Sequence, residues 1–289
     1  MTFESVPCSL AGGAEIRGLD LRQKLEPATV SALNEVWHEN LVLLFRDANF
    51  SDEQLVAFSR TFGEPEKSPP NEAKNTTSQG YVPDLPEVAV ISNVIVDGLE
   101  IGSLGSGECV WHADMSYNPR PVKAAALYAL ELPADGGETS FLNMYAAYEV
   151  MPDALKKKIA GRLAVHDSTH TSAGTLRKGY ERVTDVTKTP GARHPMIIKH
   201  PTTGRTTLLL GRRANSYIVG LPVEESEALL DEVWAHATQP QFIWSHDWRV
   251  GDLIIWDNFA VMHRRLEFDA NDRRIMHRTQ LEGVAPVAA

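Results

Sequence analysis

An imidazole and a carboxylate stand two residues apart in the stretch VWHADMSY, residues 110–117. In a β-strand, side chains at positions i and i+2 point to the same face. If this stretch is extended, His112 and Asp114 project together and can share a cation, while Ala113 points away. Because a histidine–X–aspartate pattern is frequent by chance, a metal site here needs a third ligand from elsewhere in the chain.

His263 is the candidate for that third ligand, near the end of an apolar run in WDNFAVMHRR that is typical of a central strand. Two histidines and one carboxylate leave part of the metal open, which suits ferrous iron that must bind oxygen and a second molecule. Zinc is the alternative metal, but structural zinc prefers thiolates, and the chain has only two cysteines. The other histidines lack a carboxylate at comparable strand spacing and are interpreted as structural: His38, His166, His170, His194, His200, His236, His246 and His277.

Arg274 and Arg278 lie in the strand that is predicted after the turn signal at residues 269–272. Strand parity places Arg274 and Arg278 on one face. Burying an unpaired guanidinium is costly, so two arginines near a metal indicate anionic ligands, whose oxygens match the guanidinium fork. Parity alone fits an edge strand with both arginines in water equally well. Thr139 could donate to the same carboxylate as Arg274, or be an ordinary strand threonine.

The elements that must position these residues are mostly short strands separated by turns, which indicates a sandwich or barrel-like β core. Strands are predicted at 41–45, 88–95, 122–132, 196–200, 206–210, 242–248, 252–256 and 274–281. Helices are predicted at 27–40 (with Thr29 as a possible cap), from a capping box at 51–54 through residue 58, at 145–165 and at 223–238. Loops are predicted at 64–84, 102–108 and 166–193.

Composition limits the class of protein. The 289 residues contain no linker-like segment, so we expect a single domain over 1–289. The net charge of −10, without a basic stripe, argues against a nucleic-acid partner. The chain has only two cysteines, so no disulfide framework is expected. It has no signal-peptide pattern and no apolar run of ~18 residues, so we expect a cytoplasmic protein that does not span a membrane.

Taken together, the motifs resemble the TauD/TfdA family of Fe(II)- and 2-oxoglutarate-dependent dioxygenases. WHADMSY, ELPADGGETSF, GDLIIWDNFAVMHR and RRIMHRTQL occur in the family's order, and the likeness extends over about residues 41–281. The resemblance implies a mainly β fold with flanking helices, a double-stranded β-helix (jelly roll, cupin-like) core. It implies Fe(II), 2-oxoglutarate and O2 as cofactor and co-substrates, with Fe(II) held by His112, Asp114 and His263.

The same resemblance assigns the other candidate residues. Thr139 and Arg274 would bind the distal carboxylate of 2-oxoglutarate, and Arg278 the acidic group of the primary substrate. Asn93, Ser106 and Tyr117 are predicted from their positions to line the substrate pocket. The implied reaction is oxygen-dependent hydroxylation of a small anionic molecule of the sulfonate, sulfate ester or phenoxyalkanoate type, with C–O or C–S cleavage where the hydroxylated carbon bears a heteroatom.

One departure from the family pattern narrows the substrate. Taurine dioxygenase has a histidine in the loop after the motif that is Gly63-Glu64-Pro65 here, whereas this chain has no histidine between His38 and His112. Taurine is therefore not expected. The alternatives are a hydroxylase or desaturase acting on an amino acid or natural-product intermediate, and a zinc-dependent hydrolase, which would leave Arg274 and Thr139 without a role. A homo-oligomer, dimer or tetramer, is expected from the relatives.

Overall fold

The computed structural model describes residues 3–68 and 80–289. Its α-helices are α1 (Pro27–Asn40), α2 (Asp52–Ser59), α3 (Met144–Glu149), α4 (Asp153–Ile159) and α5 (Val223–Ala237), with short 3-10 turns at Val186–Lys188 and Pro240–Phe242. Its strands are β1 (Glu4–Pro7), β2 (Ala14–Arg17), β3 (Val42–Phe45), β4 (Tyr81–Val82), β5 (Leu85–Ser92), β6 (Ile95–Val96), β7 (Leu99–Glu100), β8 (Ser103–Leu104), β9 (Cys109–His112), β10 (Ala124–Glu131), β11 (Thr139–Asn143), β12 (Leu163–Val165), β13 (Arg193–Pro195), β14 (Ile197–Lys199), β15 (Thr206–Leu208), β16 (Tyr217–Ile218), β17 (Ile243–His246), β18 (Leu253–Asp257), β19 (Val261–Arg265), β20 (Ile275–Leu281) and β21 (Val287–Ala288).

Two sheets form the jelly-roll core. The larger has the order β1-β2-β3-β18-β10-β20-β5-β4, with β8 also paired to β5, and the smaller has the order β17-β11-β19-β9. One hydrophobic cluster joins them, since Leu44, Ala125 and Ile254 of the larger sheet pack with Phe141 and Val261 of the smaller. The predicted β fold is confirmed, and both sheets carry predicted site residues: His112, Thr139 and His263 on the smaller sheet and Arg278 on the larger.

The two faces of strand β20 make different contacts. Its outer face packs on α2, where the Thr279 hydroxyl lies 2.6 Å from the Ser59 hydroxyl and His277 Nδ1 lies 2.5 Å from Asp52 Oδ1. The opposite face carries Arg278, and Arg274 precedes the strand in the same parity. The predicted parity of this strand is therefore correct, and both arginines point away from α2 into the protein.

Most of the predicted elements are present, with shifted ends. Helix α1 has its predicted bounds, and the capping box of Ser51 and Gln54 at α2 is formed by both side chains. Thr29 is not a cap, because Pro27 already occupies the first helical turn and Thr29 lies buried inside the helix. Tyr81–Val82 in the predicted 64–84 loop is a strand, and residues 69–79 of that loop lie outside the described residues.

The single helix predicted at 145–165 is wrong. The structure has two short helices, α3 and α4, followed by strand β12. Pro152 stands at the start of α4, where it cannot continue the preceding helix. Gly161 then turns the chain with a φ of 69°, a conformation favourable for glycine. No helix within 3–68 and 80–289 is long and apolar enough to cross a membrane.

Candidate metal centre

Two histidines face each other across a strand pair. His263 on β19 is directly paired with His112 at the end of β9, and their ring centroids are 4.1 Å apart. His112 Nδ1 donates to the Val110 carbonyl at 2.7 Å, while Nε2 lies 3.5 Å from Asp114 Oδ1. One nitrogen or oxygen from each of His112, Asp114 and His263 lies within 4.8 Å of the others, the only such group of three or more potential ligands in the described part of the chain.

Asp114 reaches this place from a turn and not from a strand. Strand β9 ends at His112, and Met115 has a φ of 52°. The turn is held by Asn258, whose amide nitrogen donates to the Asp114 carbonyl and whose amide oxygen accepts from the Asp114 N–H, both at 2.8 Å. The extended conformation considered for this stretch therefore holds only up to residue 112, although His112 and Asp114 still approach each other. Asn258 was not predicted.

The charges around the three residues suit a cation. Burial opposes the charge on Asp114, but the Arg278 guanidinium and the two histidines hold the pKa of this carboxyl well below its usual value. Arg278 Nη1 lies 3.3 Å from both carboxylate oxygens. Burial lowers the pKa of His263 to about 3, so its ring is neutral at pH 7. A neutral imidazole beside an ionised carboxylate is a donor set that binds a divalent metal without first losing a proton.

A small inner cavity lies directly beside these residues, walled by His112 and His263 together with Thr139, Arg265, Arg274 and Arg278. Arg274 is 1% exposed, and its Nε and Nη2 have no hydrogen-bond partner among the described residues. Burial, and then the neighbouring Arg265, lower its pKa to about 9. A buried guanidinium in this condition is expected to bind an anion.

Arg265 is buried in the same wall but is hydrogen-bonded. Its Nη1 donates to the Gly105 carbonyl at 2.7 Å, and its Nη2 donates to the carbonyls of Leu104, at 3.2 Å, and Gly107. It therefore fixes the glycine-rich loop at 102–108 against the cavity. Gly137 gives Arg274 its space, because a Cβ there would lie 3.3 Å from Arg274 Nε.

An outer cleft of about 130 Å³ lies on the other side of Arg278, which lines both spaces. Arg177, Arg212, Tyr117 and Asp114 also line it. The Arg212 guanidinium is bound to the Asp167 carboxylate at 2.7 Å, and the Arg177 guanidinium lies 4.0 Å from the centre of the Tyr117 ring.

Comparison with known proteins agrees with this geometry. The family model described as "Taurine catabolism dioxygenase TauD, TfdA family" matches residues 4–280. The chain belongs to this family. The 2,4-dichlorophenoxyacetate dioxygenase of a Burkholderia species is 34% identical over 276 residues, covering 93% of this chain and 91% of that relative.

Solved structures of the family superpose on the whole chain. A taurine dioxygenase from Burkholderia xenovorans has a TM-score of 0.80 at 31% identity, covering 100% of this chain and 92% of that one. The structure of AAD-2 in complex with Mn(II) and N-oxalylglycine has a TM-score of 0.81 at 30% identity, covering 100% of both chains. The protein is a 2-oxoglutarate-dependent dioxygenase, so the enzyme class predicted from the sequence is confirmed.

The residues present fit the metal and co-substrate of this TauD/TfdA protein. The two histidines and Asp114 offer three ligand atoms within 4.8 Å of one another. Arg274 offers a buried cation in the adjoining cavity, with Nε and Nη2 unpaired among the residues that the structure describes. Thr139, 2% exposed, brings a hydroxyl to the same cavity. The cofactors predicted from the sequence, Fe(II) with 2-oxoglutarate and O2, are those of the family.

The three residues predicted for the substrate pocket are placed differently from one another. Tyr117 lines the outer cleft, whereas Asn93 and Ser106 are not among the residues lining either space. The Asn93 amide oxygen accepts from the Arg274 N–H at 3.0 Å and its nitrogen donates to the Asp272 carbonyl at 2.7 Å, so it fixes the entry to β20. Ser106 lies in the loop held by Arg265, and its carbonyl accepts from the Phe268 N–H.

Proposed function

We propose that this dioxygenase oxidises a small organic anion with an apolar body, using Fe(II) held by His112, Asp114 and His263. Fe(II) with 2-oxoglutarate supplies the oxygen chemistry, in which 2-oxoglutarate is decarboxylated to succinate and one oxygen atom passes to the substrate. The observation that carries the proposal is the buried Arg274 guanidinium, whose Nε and Nη2 have no hydrogen-bond partner in the described part of the chain, in the cavity that the two histidines also line.

The residues that line the inner cavity support 2-oxoglutarate as its occupant. A dicarboxylate in this space would place one carboxylate at the Arg274 guanidinium and the Thr139 hydroxyl. Its other end would lie at the histidines that would hold the metal. The arginine fork matches a carboxylate in geometry as well as in charge. A hydrolytic zinc site on the same three ligands would leave this buried cation without an anion.

The outer cleft supports an anionic primary substrate. The charge of Arg212 in this cleft is already neutralised by Asp167. Arg278 lines both the cleft and the inner cavity, and its Nε has no hydrogen-bond partner among the described residues. Its contact with Asp114 is long, at 3.3 Å, and a metal on that carboxylate would compete for the same oxygens. Arg278 can then meet an anionic group of the substrate.

The walls of the cleft favour a substrate with an apolar body. Leu104, Ala89 and the ring of Tyr117 line it. An aryloxyalkanoate has both features, since its carboxylate can reach Arg278 while its ring lies against these walls. This class is also the one named for the 34% identical Burkholderia relative. Taurine has no such apolar body, and its ammonium group would enter a cleft that Arg177 and Arg278 line.

The test is succinate formation by the Fe(II)-reconstituted protein with 2-oxoglutarate and a panel of phenoxyacetate, 2-phenoxypropionate, an alkyl sulfate and taurine. We expect an aryloxyalkanoate to stimulate succinate most and to release one phenol per succinate, because hydroxylation of the ether carbon gives a hemiacetal that breaks its C–O bond. The neutral 2-phenoxyethanol is the matched control. Equal turnover of the neutral analogue would contradict an anionic substrate, and preference for taurine would contradict the apolar body.

A further inference from the structure

The hydroxyl of Thr139 has a second partner behind the cavity. The indole Nε1–H of Trp248 donates to Thr139 Oγ1 at 3.0 Å, and both side chains are buried, 8% and 2% exposed. Trp248 lies in the loop between β17 and β18 and does not line the cavity. Among the described residues, its one polar link to the cavity lining is the hydrogen bond to the threonine hydroxyl.

This hydrogen bond determines what the hydroxyl can still do. A threonine hydroxyl has one proton to donate and two lone pairs, and an indole N–H can only donate. Because Trp248 occupies a lone pair, the proton of Thr139 must point elsewhere. No acceptor for that proton is found on the described residues, and the side of Thr139 away from Trp248 faces the cavity.

The pairing is unusual for this protein, which argues that it serves more than the tryptophan. Three other buried tryptophans, Trp37, Trp234 and Trp256, have indole N–H groups without a partner among the described residues. The fold therefore tolerates an unpaired indole N–H at several positions. At Trp248 the N–H is paired, and its acceptor is a hydroxyl that lines the inner cavity.

A network behind Trp248 keeps the indole in place. The His246 ring packs edge-on against the indole with centroids 4.9 Å apart. His246 Nε2 donates to Asp252 Oδ2 at 2.9 Å, and the same oxygen accepts from Arg46 Nη1 at 2.6 Å and from the Arg249 N–H at 2.8 Å. Asp252 thus closes the loop that carries Trp248, and the indole has little freedom to turn.

We propose that Trp248 is a positioning residue for co-substrate binding: its indole N–H directs the Thr139 hydroxyl proton toward the distal carboxylate of 2-oxoglutarate. The inference rests on the proposed roles of Thr139 and Arg274. Without the indole N–H, the hydroxyl can rotate and donate elsewhere, so the bond to the carboxylate must be formed from a less ordered state. The metal ligands do not contact Trp248, and their affinity for metal should not depend on it.

The experiment is calorimetric titration of Mn(II)-loaded protein with two probes that are not turned over. N-oxalylglycine carries the distal carboxylate, whereas N-methyloxamate keeps the same oxalyl group and lacks that carboxylate. Trp248→Phe should weaken N-oxalylglycine roughly two- to ten-fold, the size of one ordinary hydrogen bond, and leave N-methyloxamate unchanged. Trp244→Phe, a half-buried neighbour that stacks on Phe141, is the matched control and should change neither.

Thr139→Val separates this inference from the function on which it rests. Thr139→Val should weaken N-oxalylglycine, and Trp248→Phe should then add no further loss, because the two residues act through one hydroxyl. If Trp248→Phe does not fold, Trp248→Met fills the space without a donor. Equal losses for both probes, or no loss when Thr139→Val does weaken N-oxalylglycine, would overturn the inference. No loss in Thr139→Val would overturn the proposed anchor as well.

Discussion

Replacing Arg274 by methionine should have opposite effects on stability and on co-substrate binding. Without ligand, the guanidinium is buried with two of its nitrogens unpaired among the described residues. Methionine keeps much of the apolar stem and removes the charge. The variant should therefore be more stable than the wild type when no 2-oxoglutarate is present, and should bind 2-oxoglutarate poorly.

The magnitudes follow from the burial of this one group. An unsatisfied buried polar group costs about 1–3 kcal/mol, and we expect the free energy of unfolding to rise by about this amount. For a chain of 289 residues, the unfolding entropy makes each kcal/mol correspond to about 2 °C in Tm. Loss of a charge-assisted hydrogen bond to the distal carboxylate costs about 1.5–3 kcal/mol, or roughly ten- to a hundred-fold in affinity.

The pH dependence of the difference has a defined sign. Burial lowers the pKa of Arg274 from 12.5 to about 9 in the folded protein. Below pH 9 both the folded and the unfolded chain hold the proton, so the stability gap between methionine variant and wild type is constant. Above pH 9 the folded wild type releases the proton while the unfolded chain keeps it, so wild-type stability rises and the gap should narrow.

Thermal denaturation with and without N-oxalylglycine and Mn(II), at several pH values, measures all of these effects. Arg265→Met is the matched control, because Arg265 is similarly buried but donates to three carbonyls. Its replacement should lower Tm at every pH. The reasoning would be refuted if Arg274→Met lost stability as Arg265→Met does, or if it bound N-oxalylglycine as tightly as the wild type.

Three further changes test other contacts of the site. Arg278→Ala should impair primary-substrate binding, leave 2-oxoglutarate affinity nearly intact and increase the amount of succinate made without product. Arg278→Lys should restore substrate binding only partly. Equal losses of affinity for substrate and 2-oxoglutarate in paired titrations would contradict separate roles for Arg274 and Arg278. Asn258→Ala removes the clamp on the Asp114 backbone, together with a bond to the Val122 carbonyl, and should weaken Mn(II) binding in protein that is still folded. Asn143→Ala, which breaks hydrogen bonds to two backbone groups away from the metal, should lower Tm only. His263→Ala should abolish 2-oxoglutarate turnover with an unchanged circular dichroism spectrum, and near-normal turnover would mean that the third ligand is another residue.

Local patterns in the sequence were sufficient for the parts of the site that depend on strand geometry. Apolar runs marked β3, β10 and β18, and period-two alternation placed Arg274 and Arg278 on one shared face. Alternation alone left open whether that face met water; in the structure it lies opposite α2. The strand pairing of His112 with His263, which are 263 − 112 = 151 residues apart, was not predicted. The sequence offered His263 only as a candidate ligand, and the family resemblance implied the same role. The structure then brings both rings together through a single strand pair.

Contacts between segments distant in sequence account for what sequence reasoning missed. Asn258 clamps Asp114 across 144 residues and Trp248 reaches Thr139 across 109, and neither residue carries a local signal of such a partner. Asn93 was predicted from its position to line the substrate pocket, but its side-chain amide bonds to the Arg274 N–H and the Asp272 carbonyl. The helix predicted at 145–165 failed because apolar spacing outweighed Pro152 and Gly161 in the interpretation.

The central claim is that one buried cavity holds 2-oxoglutarate between the three metal ligands and Arg274. A crystal structure from crystals grown without oxygen, in the presence of Mn(II) and N-oxalylglycine, tests this claim most directly. We expect the metal on His112, Asp114 and His263, and the distal carboxylate on the Arg274 guanidinium and the Thr139 hydroxyl. A metal bound by other residues, or a distal carboxylate on Arg278 with Arg274 still unpaired, would contradict the account.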